Sequence, residues 1–160
     1  MKTKALLLLA ALAIVMMATV LHCAEKSRLR TVVKVYDGDT IRTDDNRKIR
    51  LIGVDAPEVE SPYSKEEPFG RESRLYLKNL IEGRKVLVKQ GEVPVDRYGR
   101  VLAYVYMDNV LVNGRIIRDG FAKAYLRFDH ENRDLFIVYE KEARAKRRGI
   151  WATEEKWRPE

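Results

Sequence analysis

The sequence contains few sulfur and imidazole side chains. Cys23 is the only cysteine, so the folded domain has no internal disulfide. No histidine or cysteine lies near the acidic motifs described below, which argues against a zinc site. The sequence also has no internal repeat and no low-complexity segment. These absences leave a domain that is held together by its core and whose chemistry depends on oxygen and nitrogen side chains.

The composition is that of a globular protein. The 160 residues are 46% apolar and 34% charged, enough for one domain and a leader. The formal net charge is +7; without Lys2 and Lys4 of the leader, 29 basic and 24 acidic side chains remain, a net charge of +5. A basic surface suits a polyanionic partner, because each neutralised phosphate releases counterions. Net charge alone does not identify that partner.

Residues 1–24 have the pattern of an export signal, with basic residues first and an apolar run over 5–21. This run is long for a cleaved signal and short for a membrane-spanning helix. Three fates are therefore open: cleavage near Ala24, lipidation of Cys23, or retention as an anchor whose basic end stays inside. We expect export in each case. The domain would then be secreted or tethered to the outer face of the cytoplasmic membrane.

The pattern of the remaining chain predicts one α+β domain over residues 31–152, between a polar linker at 25–30 and a charged tail at 153–160. Helices are expected at 70–81 and at 131–148, with Trp151 packed beneath the latter, and between them a short helix is expected to be capped by Asn113 and to end at Gly120. A five-stranded barrel carrying these helices is the natural closure, because it removes the sheet edges. Its strands are predicted in the β-rich runs at 31–36, 40–43, 48–54, 85–88 and 101–107, and a tight turn at Asp108-Asn109 leads to a further short run at 110–112.

Two carboxylates stand at the ends of neighbouring predicted strands. Asp39 and Asp55 can face each other there, and carboxylates at close range repel unless a cation lies between them. Hard oxygen ligands select Ca²⁺ or Mg²⁺ over softer metals. With only these two carboxylates and Glu58 available as acidic ligands, water, substrate phosphate and backbone carbonyls must complete the shell. Ala56 can contribute only its carbonyl.

Two arginines complete the inventory of a phosphodiester-cleaving site. Arg50 and Arg100 offer planar, bidentate phosphate recognition and stay charged at any working pH. A cation and two arginines can stabilise charge that develops on a phosphate in the transition state. Glu58 can activate or orient water as a general base.

Strand geometry places a condition on this site. Arg50 and Asp55 are five residues apart, so strict alternation would point them to opposite faces of a strand. A strand end or a bulge must intervene, and either Gly53 or the turn at Ala56-Pro57 can provide it.

The motifs taken together resemble the staphylococcal nuclease (thermonuclease) family. The resemblance runs from about Thr31 to Trp151, which is nearly the whole domain. It is carried by five segments in family-like order and spacing: Asp37-Gly-Asp-Thr40, Arg50-Leu-Ile-Gly-Val-Asp-Ala-Pro-Glu58, Asp96-Arg-Tyr-Gly-Arg100, Gly120-Phe-Ala-Lys-Ala-Tyr125 and Gly149-Ile-Trp151.

This resemblance implies an OB-like barrel of five strands with three helices and a calcium-dependent endonuclease that acts on DNA and RNA and leaves 3′-phosphate ends; a monomer is the default oligomeric state. It implies low sequence specificity, because stacking on an aromatic ring accepts any base. The implied residues are Asp39, Asp55 and the Ala56 carbonyl for Ca²⁺, Glu58 as general base, Arg50 and Arg100 on the scissile phosphate, Tyr98 beside a substrate phosphate and Tyr125 stacked on a base.

The sequence departs from the family pattern at two positions near the substrate. Ala56 replaces a threonine that is common in the family, which keeps the carbonyl but removes a side-chain contact. Arg127 replaces a second tyrosine expected two positions beyond Tyr125, which favours phosphate contact over stacking. The alternative function is a non-catalytic nucleic-acid- or protein-binding module on the same fold. A binding module would not need the full set of Asp39, Arg50, Asp55, Glu58 and Arg100.

Overall fold

The computed structural model describes residues 12, 16, 17, 27–62 and 65–152. Most of the leader, including Cys23, and the whole of the tail at 153–160 lie outside the described residues, as do the predictions made for them. Within the described part of the chain, no helix is long and apolar enough to cross a bilayer.

Five strands close into a barrel, as predicted. The order is β3, β2, β1, β5 and β6 with antiparallel neighbours, and a parallel pairing of β3 with β6 closes the ring. Three short strands are added: β7 pairs with β6, and β4 pairs with β8 outside the barrel. The strand bounds are β1 (Ser27–Val35), β2 (Thr40–Thr43), β3 (Lys48–Leu51), β4 (Val54–Asp55), β5 (Lys85–Val95), β6 (Val101–Met107), β7 (Val110–Leu111) and β8 (Lys123–Ala124).

Side-chain alternation along these strands separates the barrel core from its outer surface. Ile49 and Leu51 of β3 are buried, whereas Lys48 and Arg50 between them point outward. Ile41 of β2 pairs with Ile49 and is fully buried, so it faces the same core. The outward face of β3 therefore carries charge, and Arg50 belongs to that face.

Three helices pack on the barrel: α1 (Gly70–Ile81), α2 (Val112–Arg118) and α3 (Arg133–Ala145), with a 3₁₀ turn at Gly149–Ala152. Helix α1 buries Ser73, Leu77 and Ile81, four residues apart, which is the apolar stripe expected of an amphipathic helix. Trp151 is buried, and the Arg144 guanidinium of α3 lies 3.6 Å from its ring centre. The predicted packing of Trp151 against the last helix is confirmed.

Asn113 was predicted to cap the second helix, and this prediction is wrong. The helix begins one residue earlier, at Val112, and Asn113 is fully buried within it. Its side-chain oxygen accepts the Val105 N–H at 2.9 Å, and its amide donates to the carbonyls of Ile52 and Ala103. Asn113 therefore ties α2 to β6 and to the end of β3, a role for which the local sequence has no signal.

Two predicted strand boundaries also need correction. The linker predicted at 25–30 is strand from Ser27 onward, because residues 27–31 pair with 85–89 of β5. Strand β5 continues to Val95, seven residues beyond the predicted end at Val88. The run predicted as one strand over 48–54 is divided by a turn after Leu51, and that turn shapes the site.

Candidate functional site

An ion pair between Arg50 and Asp39 forms the centre of the site. Arg50 Nη2 lies 2.8 Å from Asp39 Oδ2, and both side chains are largely shielded, with 17% and 6% of their surface exposed. Thr40 Oγ1 donates to Asp39 Oδ1 at 3.0 Å, and the Ala56 N–H donates to Oδ2 at 3.1 Å. The strand register brings Asp39 close to Arg50, because Thr40 of β2, the residue after Asp39, pairs directly with Arg50 of β3.

Arg50 also fastens the turn that follows its own strand. Its Nη1 donates to the Val54 carbonyl at 2.7 Å and to the Leu51 carbonyl at 3.2 Å. Between these carbonyls Gly53 adopts φ +72°, a left-handed conformation that glycine adopts at little cost. The bend required between Arg50 and Asp55 is thus present at Gly53, one of the two places proposed from the sequence.

Space as well as φ demands glycine at position 53. A Cβ there would lie 2.5 Å from ring atoms of His130 and 2.7 Å from Phe136. The His130 ring is held by a 3.2 Å hydrogen bond between Nδ1 and the Tyr104 hydroxyl, and burial lowers its pKa. The turn at Gly53 therefore packs against the His130 ring, which is neutral at physiological pH because its pKa is lowered.

We expect Gly53→Ala to lower the free energy of unfolding by about 2–4 kcal/mol, from left-handed strain plus overpacking against His130 and Phe136. Chemical denaturation monitored by circular dichroism measures this. Gly83→Ala is the matched control: Gly83 has φ +78° but open space around its Cβ position, so only the strain of about 1 kcal/mol should appear. Equal losses in the two variants would show that contact with His130 does not constrain the turn.

Asp55, Ala56 and Glu58 follow this turn along an exposed path. Asp55 ends β4, is exposed and pairs with Lys123 of β8. Glu58 is exposed too, and its backbone is held by the Glu67 side chain at 3.1 Å and the Glu67 N–H at 2.9 Å. The structure thus joins Asp39 to Arg50 through an ion pair and to Ala56 through a hydrogen bond, whereas Asp55 and Glu58 are exposed. Within the described residues, no three His, Cys, Asp or Glu side chains cluster as metal ligands.

Arg100 approaches the site from the hairpin between β5 and β6. The guanidinium lies 2.7 Å from Asp96 Oδ2, and Asp96 Oδ1 accepts the N–H groups of Tyr98 and Arg100. Burial alone would raise the pKa of Asp96, but these hydrogen bonds from Arg100 and Tyr98 outweigh it and lower that pKa. Asp96, which the sequence analysis did not assign, therefore holds Arg100 in place. Its spacing of four residues before the arginine was the available signal.

The parallel pairing of β3 and β6 sets Arg100 relative to Arg50. Arg50 is the register partner of Leu102, and side chains of parallel partners share a face. Arg100 lies two residues before Leu102, at the start of β6, so alternation places it on the outer face that Arg50 occupies. The two predicted arginines are thus directed to one wall of the barrel.

The two predicted substrate tyrosines lie on different elements of the fold. Tyr98 is at the tip of the hairpin, is 67% exposed and has the Arg97 and Arg100 guanidinium groups within 4.8 and 5.3 Å of its ring centre. Tyr125 directly follows β8, and its N–H donates to the Gly53 carbonyl at 2.9 Å. Its half-buried ring lies 5.9 Å from the ring of Phe128, which is 65% exposed.

Burial and a second carboxylate govern the electrostatics of Asp39. Loss of hydration raises the pKa of Asp39 to about 8 against the effect of the Arg50 guanidinium, and the Asp37 carboxylate contributes to that rise. Asp37 also accepts the Asp39 N–H at 2.9 Å. The cluster therefore holds two acidic groups and one arginine, and Asp37 is a second residue that the sequence analysis left without a role.

The barrel with its shielded arginine–aspartate pair is similar to proteins of a known family. A family model described as "Staphylococcal nuclease homologue" matches residues 48–153. The chain is 33% identical over 125 residues to the thermonuclease of Staphylococcus hyicus, covering 76% of this chain and 74% of that protein. It is 39% identical over 125 residues to an Escherichia coli protein named an uncharacterized endonuclease, covering 76% and 75%.

The thermonuclease of Staphylococcus intermedius is 34% identical over 124 residues, covering 75% of this chain and 74% of that protein. The chain therefore belongs to the staphylococcal nuclease family.

Proposed function

We propose that this protein is a calcium-dependent endonuclease that hydrolyses phosphodiester bonds of DNA and RNA with low sequence specificity and leaves 3′-phosphate ends. The observation that carries the proposal is the shielded cluster of Arg50, Asp39 and Ala56, on the barrel of a family whose relatives are named thermonuclease and endonuclease. The cluster puts a fixed cationic fork beside buried oxygen ligands, which is what a reacting phosphate and its counterion require.

In the proposed mechanism the arginines bind the phosphate and Glu58 handles the proton. Arg50 is pre-oriented by the carbonyls of Leu51 and Val54, so its fork needs no reorganisation when charge builds up on the phosphate oxygens. Arg100, held by Asp96, approaches from the neighbouring strand. Glu58 is exposed at the rim, where it can accept a proton from the attacking water.

The residues present fit a calcium ion. Asp39 accepts three hydrogen bonds, from Arg50, Thr40 and Ala56, whereas a carboxylate has about four acceptor positions. The adjacent Asp37 leaves excess negative charge, and all the nearby ligands are hard oxygens. Asp39, Asp55 and the Ala56 carbonyl would hold Ca²⁺, which would supply positive charge to neutralise the phosphate when bound.

The rings of Tyr98 and Tyr125 are consistent with the low sequence specificity in this proposal. Tyr98 presents its ring and hydroxyl beside Arg97 and Arg100, where a phosphate can be bound. Tyr125 lies beside the Gly53 turn and offers a ring face to a base, and stacking of this kind accepts any base. We further propose that the protein acts as an exported monomer, secreted or tethered through residues 5–21; the leader sequence supports export.

The test is a cleavage assay on single-stranded DNA and on RNA with protein lacking residues 1–24. We expect cleavage with Ca²⁺, loss of cleavage with EGTA and its return when Ca²⁺ is restored. Products labelled at the 5′ end should shift in gel mobility after phosphatase treatment that removes 3′-phosphates. Full activity in excess EGTA would contradict the calcium assignment. Binding without cleavage in any metal would favour the non-catalytic module.

A further inference from the structure

Three basic residues stand side by side across three strands of the barrel. Lys34 of β1 is the register partner of Arg42 of β2, and Arg42 is the partner of Lys48 of β3. Partners in register share a face, and each of the three is adjacent to a buried core residue (Val35, Ile41 and Ile49 respectively), so the three cations point outward in one row, beyond a β-bulge that precedes Lys34. This set, Lys34, Arg42 and Lys48, is called the basic row below. It spans about 10 Å, which is two strand spacings.

The basic row has no neutralising carboxylates. Among the described residues, none of its three members forms an ion pair, although Arg30 and Arg47 on the same strands and turn both pair with Asp45. The two lysines instead converge on Tyr36, with their Nζ atoms 4.8 and 4.5 Å from its ring centre. Like charges directly opposite in a sheet are destabilising. The fold thus tolerates a cost here that a single acidic residue would remove.

The basic row leads directly to the proposed site. Lys48 lies two residues before Arg50 on the same outward face of β3. Beyond Lys48 the parallel register continues to β6, where the next position in the row is that of Arg100, one residue before the paired Val101. Cations therefore extend without a break from the wall holding Arg50 and Arg100 across β3, β2 and β1. An extended polyanion bound at Arg50 would meet them next.

We propose that the basic row binds the phosphate backbone of a single-stranded nucleic acid, on the nucleotides that flank the bond being cut. This inference rests on the proposed nuclease function. The partner is a polyanion with regularly spaced charges, because three outward cations in line neutralise successive phosphates and release their counterions. The contact is to the backbone and adds affinity without adding sequence preference. It also predicts that long substrates bind better than very short ones.

The test is equilibrium binding of fluorescent oligonucleotides in EGTA, where the proposed cleavage is stopped. We expect the triple variant Lys34→Gln, Arg42→Gln, Lys48→Gln to bind single-stranded DNA of about twelve nucleotides roughly tenfold or more weakly at low salt. The slope of log affinity against log salt should fall in magnitude by about 2, from about 0.7 per phosphate contact for three contacts. Binding of a dinucleotide should be unchanged, because it reaches only the Arg50 wall.

The control variant is Arg28→Gln, Lys85→Gln, Lys141→Gln, which removes the same charges from three exposed positions outside the basic row. It should keep most of the affinity and slope. Equal losses in the two variants, or no loss in the first, would overturn the proposal. So would an equal loss of heparin and DNA binding, since that would mean general attraction of polyanions.

Two further measurements, the melting temperature of the triple variant and cleavage by the wild type, distinguish an effect on folding from an effect on function. Removal of like charges should leave the melting temperature of the first triple variant equal or higher, so weak binding with a lowered melting temperature would count against the proposal. If the wild-type protein cuts nothing but still shows the length-dependent binding, the nuclease function fails and the basic row stands. If the wild type cuts and the triple variant binds normally, only the basic row fails.

Discussion

Glu58→Gln should lower kcat/KM for single-stranded DNA by about 10²–10⁴-fold, which is the usual contribution of a positioned general base. This corresponds to about 3–5 kcal/mol of transition-state stabilisation. Glutamine keeps the size and the acceptor oxygen of the side chain but cannot take a proton from water. Because Glu58 is exposed and its backbone makes the bonds to Glu67, the fold should be unchanged. Initial rates at saturating and limiting substrate measure the effect.

Glu60→Gln is the matched control for this experiment. Glu60 is an exposed acid of the same loop, two residues further on, and removal of its charge alters the local potential by a similar amount. We expect its rate to stay within about threefold of the wild-type rate, since surface charges are screened by salt. Equal rates for Glu58→Gln and wild type would refute the role given to Glu58. Equal losses in both variants would point to general electrostatics.

Asp39→Asn should be inactive, and its stability in EGTA relative to wild type should rise with pH. Burial raises the pKa of Asp39 from 3.8 to about 8 in the fold, against the effect of the Arg50 guanidinium with which Asp39 is paired. A group with a raised pKa in the fold stabilises the protein at low pH and loses that contribution as pH rises toward 8. Asparagine does not titrate, so the stability of the variant relative to wild type should rise between pH 5 and pH 8. Denaturation curves across this range measure it.

Asp45→Asn should respond with the opposite sign. Burial alone would raise the pKa of Asp45, but hydrogen bonds from Thr43 and Arg30 outweigh it and lower that pKa. Its charged form thus stabilises the fold above the ordinary aspartate pKa of 3.8, and the contribution disappears as pH falls below it. We expect Asp45→Asn to be less stable than wild type at pH 7. A relative stability of Asp39→Asn that falls or stays constant between pH 5 and pH 8 would contradict the raised pKa of Asp39.

Calcium distinguishes the same two variants. A ligand that binds only the folded protein raises its stability by mass action. If Asp39 is a calcium ligand, Ca²⁺ should raise the melting temperature of wild type and of Asp45→Asn but leave Asp39→Asn unaffected. A calcium response in Asp39→Asn equal to that of wild type would remove Asp39 from the proposed shell.

The local sequence was sufficient to predict the bounds of helices and strands whose contacts are local. Helix α1 has the predicted bounds, Gly70–Ile81, because its buried residues recur at helical spacing and Gly83 follows it. Strand β2 also has the predicted bounds, because turn residues stand on both sides. Polar residues 27–30, by contrast, become strand only through their pairing with β5. Gly91 and Pro94 resemble strand breakers, yet β5 continues past them because β6 pairs with it on both sides, at Gln90 and at Val95, across an irregularity in register.

The same division applies to the site. Motifs selected the candidate side chains as a group, and the constraint between Arg50 and Asp55 predicted a bend at Gly53 or at Ala56-Pro57, of which the structure has the first. The hydrogen-bond and ion-pair partners of these side chains were harder to predict from the sequence. The bonds from Arg50 to the Leu51 and Val54 carbonyls depend on the shape of that bend, and the hold of Asp96 on Arg100 depends on the hairpin turn. Neither produces a periodic pattern that a sequence would show.

The closure of the barrel also sets the moment at which the site begins to exist. Strand β3 acquires its second neighbour only when β6 arrives, after α1 and β5 have been added to the chain. Pairings between such distant segments form late, since the entropy lost in closing the loop must first be offset. Arg50 and Arg100 therefore share a wall only once most of the chain has been made and folded. Under the proposed function, a growing chain would therefore be unable to cut nucleic acid until this closure is complete.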